Sequence, residues 1–200
     1  MTATLEVNQT VAHWEFFKMI EGVHGAIVEC GVFRGRNFLR FAQFRKALGN
    51  SRALIGFDTF DTFPEAHGDD IPLRQRFIER NGDKSATLDE IRQTLSGEGC
   101  EDNVMLIKGD ICETVPEFVK RHPDIQIALL NMDTDLYEPA KVILNYLFPM
   151  LSAGGILIAD DYNIFPGETR AVDEYCEAHN MVVQSAHLFV GYYLVRLGVR

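Results

Sequence analysis

The chain has 200 residues, 46% of them apolar and 24% charged, the proportions of one soluble globular domain whose core is large enough to need no staples. Nineteen basic against 29 acidic residues leave a net charge of −10, the wrong sign for a nucleic-acid binder that works by neutralising phosphates. No apolar run approaches the ~20 residues of a membrane helix, Met1 to Thr10 reads as a short polar lead and not a signal peptide, and four scattered cysteines without a Cys-x-x-Cys pair read as free thiols in a reducing cytoplasm.

From Val11 to Ile20 apolar residues recur at helical spacing (Val11, Trp14, Phe17, Met19, Ile20), which predicts a helix packed on the sheet edge within an N-terminal lead of residues 1–24. Residues 25–200 then read as the core of one domain spanning residues 1–200. In it, short β-branched runs alternate with helical patterns, the signature of a parallel α/β sheet with helices on both faces. Strands are predicted at Ala26–Cys30, Ala53–Phe57, Val104–Lys108, Ile125–Met132, Gly155–Asp160, Met181–Ala186 and Gly191–Arg196. Helical patterns lie between them at Asn37–Leu48, within Pro72–Leu95, and at Glu113–Arg121, Pro139–Pro149 and Glu168–His179. Only His187 to Val190 joins the last two strands, too short for a crossover, so this pair is predicted to be an antiparallel hairpin. Phe38, Phe41 and Phe44, three residues apart on one helix, read as core and not as a ligand box.

In open α/β sheets ligands bind beyond the carboxyl ends of the strands, so those ends carry the functional reading. After the first strand, Glu29-Cys30-Gly31-Val32-Phe33-Arg34-Gly35 is either an ordinary glycine turn or a place where backbone approaches a ligand beside a helix N-terminus. Its spacing does not fit the dinucleotide fingerprint, because the second and third glycines would fall at Phe33 and Arg36. Asp58 ends the second strand, where a carboxylate either accepts both hydroxyls of a ribose or caps a turn. Gly109-Asp110 ends the third, where the acid either meets the amino group of an adenine or belongs to a turn pair. Together these three positions point to a bound adenosine.

The fourth and fifth strands end in concentrated acid, Asn131-Met132-Asp133-Thr134-Asp135 and Asp160-Asp161-Tyr162-Asn163. If the two strands are neighbours, Asp133, Asp160 and Asp161 meet within a few ångströms and repel unless a cation neutralises them. Such hard oxygen ligands favour Mg²⁺ or Ca²⁺ over zinc; the alternative is a set of solvated loop acids. Asp135 is expected to matter less than Asp133, unless a turn beginning at Thr134 presents both. The chain contains no nucleophile elbow, phosphate loop or His-Glu-x-x-His. Of six scattered histidines, His67 and His187 are the candidates for a site.

The glycine turn, Asp58-Thr59-Phe60-Asp61-Thr62-Phe63-Pro64, Asp133-Thr134-Asp135-Leu136-Tyr137-Glu138-Pro139, Gly154-Gly155, Asp160-Asp161-Tyr162 and Gly167-Glu168-Thr169-Arg170-Ala171-Val172-Asp173-Glu174 resemble the macrocin O-methyltransferase family over roughly Gly25 to Tyr193. The acidic set, with Asp133 and Asp160 27 residues apart, is also similar to the metal site of catechol O-methyltransferase. The resemblance implies a Rossmann-like class I methyltransferase with a mostly parallel seven-stranded sheet ending in an antiparallel hairpin. It implies transfer of a methyl group from S-adenosylmethionine to a hydroxyl of a sugar or other small molecule, assisted by Mg²⁺. It places the cofactor's methionine end on Glu29, Gly31 and Gly35, its ribose on Asp58 and its adenine beside Asp110, with Val32, Asn37, Thr59 and Ile111 alongside. It makes Asp133, Asp160 and Asp161 the metal ligands and Asp133 the general base.

Members of that family usually carry a longer N-terminal segment over the active site, so the loop after Pro64 is expected to be the remaining lid, with Gly68, Asp69 and Asp70 forming a mobile, charged mouth. The shorter lid otherwise implies an open pocket, a bulkier substrate or closure by a neighbouring subunit, and Phe-rich and C-terminal β surfaces are the candidates for self-association. Two rival readings remain: a metal-dependent glycosyltransferase using Asp133-Thr134-Asp135, and a nucleoside-binding domain without catalysis.

Overall fold

A computed structural model of the chain describes residues 3–185 and 192–195. After helix α1 (Ala3–Met19), strand and helix alternate: β1 (Ala26–Cys30), α2 (Arg36–Ala47), β2 (Leu54–Asp58), α3 (Ile71–Asn81), α4 (Leu88–Gly97), β3 (Val104–Lys108) and α5 (Ile111–Arg121). There follow β4 (Ile127–Met132), α6 (Tyr137–Tyr146), β5 (Leu151–Ala159), α7 (Pro166–His179), β6 (Gln184–Ser185) and β7 (Tyr192–Val195). The sheet runs β3-β2-β1-β4-β5-β7-β6, parallel through β5, with β7 antiparallel to both β5 and β6. The predicted connection between the last two strands, His187 to Val190, lies outside the described residues.

β1 and β4 are buried on both faces, and their apolar runs alternate between two cores. Val28, Phe57, Leu130 and Leu157 point to the side covered by α5, α6 and α7. Ile27, Leu54, Leu129 and Ile156 point to the side covered by α1, α2 and α4. Helix α1 therefore packs on a face of the sheet and not on its edge. Its buried stripe is Ala12, His13, Phe16, Phe17 and Ile20, while Met19 is exposed. The apolar spacing alone misses this because a histidine occupies the inward face. Phe38 and Phe41 are fully buried, so α2 offers no Phe-rich surface for self-association.

β5 begins at Leu151, earlier than the predicted Gly155, because Leu151 pairs with Ile127 before a register irregularity at the glycines. Glycine reads as a turn in sequence, yet here the strand continues through it. The region between β2 and β3 contains two helices, the second opened by a capping box of Thr87 and Glu90. No helix among the described residues is long and apolar enough to cross a membrane.

Candidate active site

The strand order reverses between β1 and β4, the switch point at which open α/β sheets bind ligands. A cavity of about 790 Å³ lies there, a volume suited to a cofactor and part of an acceptor. Of the residues expected around a cofactor, Gly31, Val32, Asn37, Asp58, Thr59, Asp110 and Ile111 line it. Glu29 and Gly35 do not. Glu29 stands opposite Asn131 on the neighbouring strand, accepts a hydrogen bond from its Nδ2 at 3.0 Å, and is 1% exposed. Burial pushes its carboxyl well above the ordinary range. Gly35, at φ 79°, opens α2 and packs on Ile91, where a Cβ would approach its Cδ1 to 2.5 Å.

Gly31 lines the cavity and also answers a packing constraint. Its φ is 91°, and a Cβ there would lie 1.7 Å from the carbonyl oxygen of Asp133, so the glycine lets the ends of β1 and β4 come together. Asp58 stitches two loops, accepting from the backbone N–H of Phe33 at 2.9 Å and of Phe60 at 2.6 Å. Asp110 caps α5 through the N–H of Cys112 at 2.8 Å. Both acids thus make the turn and cap contacts weighed from sequence while also lining the cavity.

Asp133, Asp160 and Asp161 each offer a carboxylate oxygen, and these atoms lie within 4.8 Å of one another. Asp133 lines the cavity; Asp160 and Asp161 are not among its walls. Burial, and then the neighbouring carboxylates, push Asp133 and Asp161 well above the usual range. Oδ2 of Asp161 is buried with no hydrogen-bond partner. Asp135 sits in a turn at φ 62° and also lines the cavity, so both carboxylates of the Asp-Thr-Asp segment are presented. Burial raises Asp135 to about 7, opposed by a hydrogen bond with Asp161.

Several supporting residues escape sequence reading because their partners are remote in the chain. Glu168, fully buried on α7, accepts from the backbone N–H of Asp161 at 3.1 Å and of Thr134 at 3.4 Å, joining the loops after β4 and β5. Asp70 is buried instead of forming a charged mouth; it accepts from Gly167 N–H at 2.8 Å and Tyr137 N–H at 3.1 Å, tying the lid to the first turns of α7 and α6. His13, not His67, reaches the acids, through Asp160. His67 is exposed at the cavity rim.

A family model described as macrocin-O-methyltransferase (TylF) matches residues 12–188. The chain belongs to the macrocin O-methyltransferase family. It is 32% identical over 150 residues to the 8-demethyl-8-(2,3-dimethoxy-alpha-L-rhamnosyl)-tetracenomycin-C 4'-O-methyltransferase of Streptomyces olivaceus, covering 73% of this chain and 56% of that protein. It is 30% identical over 167 residues to the mycinamicin III 3''-O-methyltransferase of Micromonospora griseorubida, covering 80% and 64%. The chain therefore spans less than two thirds of the length of these relatives. Among solved structures, the calicheamicin methyltransferase CalS11 superposes with a TM-score of 0.79 at 26% identity, over 96% of this chain and 80% of that one. The O-methyltransferase NovP gives 0.77 at 26% identity, over 92% and 78%. The fold of this family member is accordingly that of a class I methyltransferase.

Proposed function

We propose that the protein transfers the methyl group of S-adenosylmethionine to a hydroxyl on a sugar, free or carried by a natural product, with a divalent cation such as Mg²⁺ at Asp133, Asp160 and Asp161. One observation carries this reading: three carboxylates from adjacent strand ends converge beside a large cavity at the switch point of the sheet. The donor set fits a hard cation, since all three ligands are oxygens and the buried Oδ2 of Asp161 has no other partner. The names of the relatives support the acceptor class, as they describe O-methylation of a rhamnosyl-tetracenomycin and of mycinamicin III.

On this reading Asp58, Thr59, Asp110 and Ile111 receive the nucleoside, and the Gly31 turn receives the methionine end. Asp58 accepts from Phe60 N–H and Thr59 Oγ1 at Oδ1 and from Phe33 N–H at Oδ2, and keeps one lone-pair site on Oδ2 for ribose. A bound divalent cation polarises the acceptor hydroxyl and fixes its direction. Holding acceptor and methyl donor in line supplies on the order of 7–11 kcal/mol in the best cases. Asp133 is occupied by Asn37 and the cation site, whereas Asp135 lines the same cavity outside the three carboxylates that would hold the cation. Asp135 is thus the better placed proton acceptor, and Asp133, the base expected from the resemblance, becomes chiefly a ligand.

The test is calorimetry with S-adenosylhomocysteine, followed by methyl transfer to a panel of glycosides and nucleotide sugars with and without chelator. Binding of the nucleoside and chelator-sensitive transfer are expected. Retention on uridine diphosphate in place of S-adenosylhomocysteine would favour the glycosyltransferase reading and overturn this one.

A further inference from the structure

Asp133 and Asp160 are joined to each other by a chain of buried side chains that leaves the sheet entirely. Asn37 donates from Nδ2 to Asp133 Oδ2 at 2.9 Å. Arg40, one turn later on α2, donates from Nη1 to Asn37 Oδ1 at 2.9 Å. The same Nη1 lies 2.9 Å from His13 Nδ1, and His13 Nε2 lies 3.4 Å from Asp160 Oδ1. Gln9, one turn earlier on α1, donates to the other oxygen of Asp160 at 3.3 Å. His13, Asn37 and Arg40 are all buried, and the imidazole stacks on Phe41 with centroids 5.2 Å apart.

The direction of every bond in this chain follows from one residue. A guanidinium only donates, so Asn37 must turn its oxygen toward Arg40 and its NH₂ toward Asp133. For the same reason His13 Nδ1 must be the acceptor, which leaves Nε2–H aimed at Asp160. Arg40 therefore orients two donors, one onto each acid. The amide and the imidazole hold the two carboxylates in position as outer-shell partners of metal ligands do.

We propose that Arg40, with Asn37 and His13, is a positioning unit that presets Asp133 and Asp160 for a divalent cation, and that α1 is thereby a structural part of the metal site. This rests on the cation site proposed above, and the experiment separates the two. Mn²⁺ affinity is measured by electron paramagnetic resonance on the wild type, Arg40→Met, His13→Phe and His13→Gln, with S-adenosylhomocysteine affinity measured alongside.

Glutamine can accept from Arg40 and donate to Asp160, as the imidazole does, whereas phenylalanine keeps the packing on Phe41 and loses both bonds. Arg40→Met and His13→Phe are expected to weaken Mn²⁺ binding about 10–100-fold, the usual cost of losing an outer-shell partner. His13→Gln should recover most of that loss, and S-adenosylhomocysteine binding should change less than about twofold in all three, since an outer-shell partner acts through the metal ligands. Absence of Mn²⁺ binding in the wild type would overturn the cation site itself. Wild-type binding with equal affinity in His13→Phe, or His13→Gln as weak as His13→Phe, would overturn the positioning unit and leave the cation site standing. The histidine pair decides the matter even if Arg40→Met does not fold.

Discussion

Raising the pH of the metal-free protein from about 5 to about 8 should destabilise it, and a divalent cation should restore what is lost. The clearest contributor is Asp135, whose carboxyl is raised from 3.8 to about 7 by burial. In the unfolded chain this group has lost its proton well below neutrality, while in the folded protein it keeps it until about 7. Between those values the folded state binds more protons, so stability is greatest at low pH and falls as pH rises through the window. Between pH 5 and about 7, where only the folded state keeps this proton, the loss is about 2.7 kcal/mol at most, at 1.36 kcal/mol per pH unit. Asp133 and Asp161 are shifted in the same direction and add to the effect. For a chain of this length that is a fall in Tm on the order of 10 °C. A cation at 100 times its Kd returns about 2.7 kcal/mol, and it should do so more strongly at the higher pH, where the carboxylates are charged. The assay is thermal unfolding at both pH values, with chelator or with Mg²⁺, on the wild type and on Asp135→Asn. The variant should show a smaller fall with pH. A metal-free Tm that is flat or rises over this range, or a Mg²⁺ effect of equal size at both pH values, would refute the electrostatic account of the acid cluster.

Three further outcomes are expected. Gly31→Ala places a methyl group against the Asp133 carbonyl at a positive φ, and should cost on the order of 3 kcal/mol in urea unfolding; a cost below about 1 kcal/mol would show that the two strand ends can separate freely. Asp58→Ala removes the acceptor shared by the Phe33 and Phe60 amides, and should weaken S-adenosylhomocysteine by roughly 1.5–3 kcal/mol in calorimetry; unchanged affinity would remove Asp58 from the nucleoside site. Glu168→Gln turns an amide NH₂ toward one of two buried backbone N–H groups, and should cost about 1–3 kcal/mol in denaturant unfolding, with unaltered stability contradicting its role as the strap between the acid loops.

The sheet and the acids at its strand ends were legible in the sequence because both depend on local pattern. Apolar runs of strand length and the period of the helices locate β1 to β5, α2 and α5 to α7, while the single loop-plus-helix region read over Pro72 to Leu95 folds as two helices, and strand order in this architecture brings Asp133 to Asp160 and Asp161. The family's motifs lie on those same strand ends. What sequence could not supply was the role of residues whose partners are remote along the chain. Glu29 lies in the glycine-turn motif, yet only the register of the sheet sets it opposite Asn131, whose amide it accepts from. Asp70 looked like solvent-facing charge in a lid, but two helix N-termini meet over it. His13 stood in an apolar helix with nothing to mark it, and only the packing of α1 onto the face of the sheet carries it to Asp160, 147 residues away. Local periodicity fixes which groups stand at the end of a strand; the hydrogen bonds that orient them are made only when distant segments pack, because each buried donor must find its acceptor across the fold.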